Sequence, residues 1–139
     1  MGFSEAVKTV LGKYADFSGR ARRSEYWFWY LAFLLAYLVA LIGSAISRPL
    51  GLLLLAVVVI GGLLPNLAVS VRRLHDTGKS GWMLLLGLIP VVGAILLIVW
   101  FATDSVPGDN QYGPNPKGIG GMAGGYGQPP VGYAEPPTA

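Results

Sequence analysis

The run RRLHDTGKSGW, from Arg72 to Trp82, is the densest group of side chains in this sequence that could do chemistry. It holds two arginines, the one histidine of the chain, an aspartate, a lysine and two hydroxyl groups. Neighbouring histidine and aspartate residues are suited to general acid–base catalysis. The letters Gly-Lys-Ser at residues 78–80 also occur in phosphate-binding loops. The run is therefore the first place to look for a functional site.

Each of these chemistries needs partners that the sequence does not supply. A phosphate-binding loop has a glycine five residues before Gly78, where Arg73 stands here. A metal site needs three or four ligands, and one histidine with one nearby aspartate is too few. The absence of cysteine excludes thiolate ligands and cysteine nucleophiles. We therefore predict no catalytic residue, no metal and no cofactor, with an enzyme using His75 and Asp76 on lipid headgroups as an alternative.

The composition indicates a membrane protein. Of the 139 residues, 53% are hydrophobic and 12% are charged, whereas soluble domains carry about a quarter charged residues. Uncharged stretches occupy residues 26–47, 50–71 and 82–103. As helices, each is about 33 Å long, which spans a hydrocarbon core of about 30 Å. We predict an all-α membrane protein with three transmembrane helices.

Prolines and small residues add detail to these spans. Only Arg48 and Pro49 separate the first two stretches, so we predict an antiparallel helical hairpin. Pro90 lies between two glycines and offers an alternative, in which the third stretch is a re-entrant hairpin rather than one crossing. In the first stretch a small residue recurs every fourth position, which favours close approach of another helix: Ala32, Ala36, Ala40 and Ser44.

The basic residues predict the orientation. If the N-terminus is cytoplasmic, only Arg48 and Lys117 fall outside, and the positive-inside rule is satisfied. We therefore expect a cytoplasmic N-terminus and an external C-terminus in a multi-pass protein of the bacterial inner membrane. The basic residues expected on the cytoplasmic side are Lys8, Lys13, Arg20, Arg22, Arg23, Arg72, Arg73 and Lys79.

The two flanks of the apolar region differ. Phe3, Val7, Val10, Leu11 and Tyr14 have helical spacing, which predicts a short amphipathic helix at the membrane interface or packed on the spans. Residues 118–139 are rich in glycine, proline and tyrosine, and we expect them to be a disordered tail. The predicted membrane domain is thus residues 1–117.

Four motifs resemble the signature of the DUF805 family of small bacterial inner-membrane proteins. They are FSGRARRSEYW (17–27), NLAVSVRRLHDTGKSGW (66–82), LIPVVG (88–93) and GDNQYGPNP (108–116), and the likeness covers most of residues 3–117. The resemblance implies an integral inner-membrane protein. The biochemical function of that family is unknown, so no catalytic residue can be carried over.

Two spans separate GRARRSE from RRLHDTGKSGW, so both motifs are expected on one face, as a single polar cluster. We expect Glu25 and Asp76 each to pair with an arginine of the other motif, with Glu25 and Arg73 as the pair to test. The surplus of arginine suits anionic headgroups. The predicted role is therefore a non-enzymatic scaffold or accessory subunit that binds anionic lipid or a partner membrane protein and no nucleic acid. An oligomeric transport or channel component is the other alternative. The predicted cluster comprises Arg20, Arg22, Arg23, Glu25, Arg72, Arg73, His75, Asp76, Lys79 and Ser80.

Overall fold

The computed structural model describes residues 1–118, and the regular elements within this range are helical. They are α1 (Phe3–Gly12), α2 (Arg23–Ile46), α3 (Arg48–Asp76), a 3₁₀ helix called η1 (Gly81–Leu88), and α4 (Val92–Ala102). The chain divides into two compact units. The first unit is residues 1–17 with 24–69, and the second unit is residues 18–23 with the chain from residue 70 onward. The tail expected from the sequence lies, from residue 119, outside the described residues.

Within residues 1–118, α2 and α3 are the two helices long and apolar enough to cross a membrane, with 24 and 29 residues. Large apolar side chains are exposed along both, as at Ile46 and Ile60. Such a surface is costly in water and suits the acyl chains of a bilayer. Helix α3 begins at Arg48 and has Pro49 in its first turn. The N–H groups of the first turn have no partner within the helix, so the N–H that proline lacks costs no hydrogen bond there.

Close contact between helix backbones holds the first unit together. A Cβ atom on Gly51 of α3 would lie 2.0 Å from the Cα of Ser44 in α2. Ser44 is the last member of the small-residue stripe, so this stripe packs against α3 at that position. The indole N–H of Trp29 donates to the Asn66 side-chain oxygen at 2.6 Å. This bond pairs the most polar group of the α3 apolar stretch with a neighbouring helix.

The N-terminal segment, α1 and the residues just after it, packs on the other two helices of its unit. Ala6 and Val10 are fully buried, and the ring of Phe3 meets that of Phe28 edge-on at 6.0 Å. Further along, the Tyr14 hydroxyl donates to the Gly61 carbonyl. The predicted helix is therefore present from Phe3 to Gly12. It contacts α2, and Tyr14, just after its end, contacts α3.

The third apolar stretch does not form the single spanning helix that the sequence analysis predicts. Instead η1 and α4 are joined by a tight turn at residues 89–91, in which Val91 has φ +64°. Pro90 removes a backbone donor, which interrupts the helix. Gly93 then lets the two arms touch, since a Cβ there would lie 1.6 Å from the Leu86 carbonyl oxygen. The stretch is a helical hairpin, which matches the alternative based on Pro90.

Candidate functional site: a buried arginine–aspartate network

Asp76, the last residue of α3, is the centre of the second unit. Its carboxylate accepts from Nε of Arg20 at 3.0 Å and from Nη1 of Arg73 at 2.5 Å. The hydroxyl of Ser105 donates to the same Oδ2 atom as Arg73, also at 2.5 Å. All these groups are shielded from solvent. One carboxylate therefore compensates two buried guanidinium groups and accepts three hydrogen bonds.

Arg20 connects the GRARRSE motif to the segment that follows α4. Its Nη1 donates to the carbonyl of Gly108 at 2.8 Å, and its Nη2 donates to that of Val106 at 2.7 Å. The same Nη2 also reaches the Asp76 carbonyl at 3.1 Å. A planar guanidinium offers five N–H groups in a fixed fork. Arg20 uses that fork to hold residues 106–108 against the end of α3.

Arg73 makes the corresponding connections to the hairpin. Its Nε donates to the Phe101 carbonyl at 2.9 Å, and its Nη2 donates to the carbonyl of Thr103. Its Nη1 reaches the Ala21 carbonyl at 3.2 Å. The last turn of α4 leaves carbonyl groups without helical partners, and these bonds satisfy two of the carbonyls there. Arg73 thus joins three segments that are far apart in the sequence.

His75 is held apart from Asp76 by its own partners. Its Nδ1 lies 3.0 Å from the Gly19 carbonyl oxygen, which can only accept, so Nδ1 carries the proton. The imidazole stacks on the ring of Tyr112, with centroids 3.8 Å apart and planes 1° from parallel. The side-chain amide of Asn110 donates to the His75 carbonyl at 2.9 Å. In the Ser-His-Asp arrangement a carboxylate accepts from Nδ1 of the histidine, whereas here a backbone carbonyl occupies that position.

A second set of charged groups lies at the surface of the same unit. Asp104 pairs with Nζ of Lys117 at 2.6 Å and with Nη2 of Arg23 at 3.4 Å. The hydrogen bond from Lys117, followed by that from the Ser105 backbone N–H, holds the pKa of Asp104 below its usual range. Lys79 places its ammonium 5.2 Å from the centre of the Trp100 ring.

The structure brings most of the predicted cluster into the second unit. Ser80 accepts from the Trp82 backbone N–H and caps η1. The Arg72 side chain is buried and its carbonyl accepts from the Ala21 N–H at 3.0 Å, while Arg22 is partly exposed. Glu25 is buried in the first unit instead. Arg73 binds the carboxylate of Asp76, and the expected pairing of Glu25 with Arg73 stays a prediction.

Sequence reasoning did not assign a role to residues 103–118. These residues supply Ser105, Asn110 and Tyr112 to the network, and Asn115 donates to the Val106 carbonyl at 2.7 Å. The motif GDNQYGPNP could have indicated an ordered segment, because it is rich in turn-forming residues. Its glycines at 108 and 113 adopt positive φ in the structure. This segment contacts Arg20 and Arg73 directly and belongs to the same unit as they do. Lys117 therefore lies in the unit that contains Arg73, and the predicted side of the membrane for each of them stays a prediction.

Comparison with known proteins agrees with the motifs. A family model described as a protein of unknown function, DUF805, matches residues 14–114. The chain belongs to the DUF805 family. The matched region contains the buried network from Arg20 to Gly113, so the network is part of what the DUF805 model covers.

Three relatives from Escherichia coli K12 are similar over most of their length. The inner membrane protein YhaI is 42% identical over 112 residues, which cover 78% of this chain and 92% of the relative. The inner membrane protein YhaH is 42% identical over 113 residues, covering 78% and 93%. The uncharacterized protein YiiR is 30% identical over 129 residues, covering 75% and 88%. No solved structure matches. These similarities and the two long apolar helices identify a membrane protein whose biochemical role is not established.

Proposed function

We propose that this chain is a non-enzymatic protein of the bacterial inner membrane whose second unit lies on the cytoplasmic side and binds anionic lipid headgroups. The observation that carries the proposal is the distribution of basic residues at the two ends of α3. Arg48 and Arg72 are about 36 Å apart along this helix, which exceeds the hydrocarbon thickness of about 30 Å. The Arg72 end belongs to the unit that contains most of the cations.

The second unit has a clear basic excess. Its described residues include three aspartates, at 76, 104 and 109, against seven lysines and arginines. The positive-inside rule favours the cytoplasm for such a segment. Lys117 lies beside Asp104 in the second unit. It therefore adds to the basic residues of this unit, although the sequence analysis expected it on the outside. The seven basic residues are Arg20, Arg22, Arg23, Arg72, Arg73, Lys79 and Lys117.

The basic residues of the second unit divide into two groups with different roles. Arg20 and Arg73 are buried and compensated by Asp76, so they hold the fold together. Arg22, Arg23 and Lys79 are at least partly exposed, which leaves them able to meet a headgroup phosphate. Near an anionic membrane surface each such cation contributes about 1 kcal/mol of attraction. The three hydrogen bonds that the buried Asp76 carboxylate accepts, and the carbonyl partner of His75, favour this binding role over catalysis.

Labelling of introduced cysteines tests the orientation. The chain has no cysteine, so Gln111→Cys and Ser47→Cys each provide a single thiol. Gln111 is exposed in the second unit, and Ser47 lies between α2 and α3. With a membrane-impermeant maleimide, we expect labelling of Gln111→Cys in inverted vesicles only and of Ser47→Cys in spheroplasts only. The reverse pattern would refute the cytoplasmic placement, and labelling of both from one side would refute opposite ends for α3.

Lipid retention tests the binding. We expect protein purified in mild detergent to retain phosphatidylglycerol in native mass spectra, and Arg22→Gln with Arg23→Gln to lower that retention. Arg48→Gln is the matched control, because Arg48 is an exposed arginine at the other end of α3. An equal loss in the control would refute a specific headgroup surface on the second unit.

A further inference from the structure

We propose that residues 81–102 form a half-membrane hairpin, which inserts among the acyl chains of a single leaflet and does not cross the bilayer. Such a hairpin is an interaction surface for lipid tails, separate from the headgroup surface formed by the exposed cations. The proposal depends on the membrane location of the chain but not on which side the second unit faces.

Both ends of the hairpin lie at one place. At its end, the Phe101 and Thr103 carbonyls accept from the Arg73 guanidinium. At its start, a Cβ on Gly81 would lie 2.7 Å from Cγ1 of Val71, two residues before Arg73 in α3. The chain therefore enters and leaves the hairpin beside the last turns of α3, as a re-entrant segment does and a transmembrane helix does not.

The length of the arms fits one leaflet. The eight residues of η1 rise by about 16 Å at the 3₁₀ spacing. The eleven residues of α4 rise by about 16 Å at the α-helical spacing. A hydrocarbon core of about 30 Å has leaflets of about 15 Å. With its base at the headgroups, the hairpin reaches the bilayer midplane and ends there.

The exposed surface has the polarity of an inserted segment. Residues 81–102 contain no charged side chain. The side chains are highly exposed at the start of η1 and around the turn, with exposed fractions of 79% for Trp82, 80% for Leu88 and 70% for Val91. Polar residues return just outside both ends, at Lys79 and Asp104. Trp82 and Trp100 lie near those ends, at the level where tryptophan is enriched in membrane proteins.

The backbone of the turn is also prepared for a medium without water. Unpaired N–H groups in hydrocarbon cost several kcal/mol each, and the turn leaves few of them. Ile89 donates to the Leu86 carbonyl at 3.0 Å, Val92 to that of Pro90 at 2.7 Å, and Gly93 to that of Ile89 at 3.1 Å. Pro90 has no N–H to satisfy. The turn is therefore suited to a surrounding of acyl chains, because most of its backbone N–H groups already have partners within the protein and do not need water.

Depth measurements in proteoliposomes test the proposal. A bimane fluorophore is attached to a single cysteine at Trp82→Cys, Val91→Cys or Thr103→Cys, all of them exposed positions. Nitroxide groups are carried by the lipids either near the headgroup or near the end of the acyl chain. Ile60→Cys, exposed near the middle of the α3 apolar stretch, is the control for a label at mid-membrane depth. Resistance of each variant to trypsin in detergent verifies that it is folded.

We expect the Val91 label to be quenched most by the deep nitroxide, as the Ile60 label is. The labels at 82 and 103 should be quenched most by the shallow nitroxide and by iodide added to one and the same side. Iodide access to 82 and 103 from opposite sides would overturn the hairpin in favour of a full crossing. Iodide quenching at Val91 would place the turn in water, and protection there from both iodide and lipid nitroxides would mean that protein covers it. Both results would overturn the proposal, while the side from which iodide acts tests the proposed orientation separately.

Discussion

Neutralising Asp76 is the most direct test of the buried network. The substitution Asp76→Asn keeps the size of the side chain but removes the negative charge shared by Arg20 and Arg73. In the Arg20–Asp76 pair the side chains are 1% and 0% exposed, so water cannot solvate the arginine charge that Asp76 compensates. Removing one partner of a buried ion pair costs about 3–5 kcal/mol because a charge is left uncompensated. We expect the free energy of unfolding to fall by this amount, roughly a hundredfold or more in the equilibrium constant.

Asp104→Asn is the matched control. Asp104 also pairs with two cations, Lys117 and Arg23, but its side chain is 54% exposed. Exposed ion pairs contribute less than about 1 kcal/mol. Both variants are unfolded reversibly in mixed detergent micelles, and hydrogen exchange of residues 101–118 reports where structure is lost. Equal effects of the two substitutions would refute the view that burial makes the Asp76 network stabilising.

A double-mutant cycle sharpens the result. Arg20→Gln alone and Asp76→Asn alone should each destabilise the second unit strongly. Because each removes the same interaction, the double variant should lose less than the sum of the two, by about 0.5–3 kcal/mol. Simple additivity would mean that the 3.0 Å contact between Arg20 and Asp76 is not an energetic coupling.

Two further predictions concern other contacts. Gly51→Ala should lower the unfolding temperature, because its Cβ would meet the backbone of Ser44 at 2.0 Å. Gly61→Ala is the control: a Cβ there has no atom within 4 Å, and the substitution should raise the free energy of unfolding by up to about 1 kcal/mol through helix propensity. Equal shifts for the two variants would contradict close packing of α2 on α3. Tyr112→Ala removes the ring stacked on His75 and should speed hydrogen exchange in residues 106–116, while Tyr112→Phe should not. A similar acceleration in the Phe variant would show that the stacking is not what orders this segment.

Part of the polar site could be anticipated from charge and topology. Arginine and aspartate residues at the ends of apolar stretches need partners, and the short link between the first two stretches indicates that both motifs approach one face. Charge and topology could not predict which arginine pairs with which carboxylate. Arg20 and Asp76 are 56 positions apart, and Glu25 was as plausible a carboxylate as Asp76. The packing of the last turn of α3 places the Asp76 carboxylate against both Arg20 and Arg73.

The sequence by itself determined the membrane class, the presence of two long apolar helices and the positions of the polar motifs, because apolar length and charge are local properties. Only the tertiary structure decided that residues 82–103 turn back at Pro90 and that residues 103–118 join Arg20 and Arg73. A continuous apolar stretch has the same composition in both arrangements. The difference depends on a proline that removes one N–H and on Gly93, where a Cβ would lie 1.6 Å from the Leu86 carbonyl oxygen. It also depends on guanidinium groups that bind carbonyls up to 93 positions away.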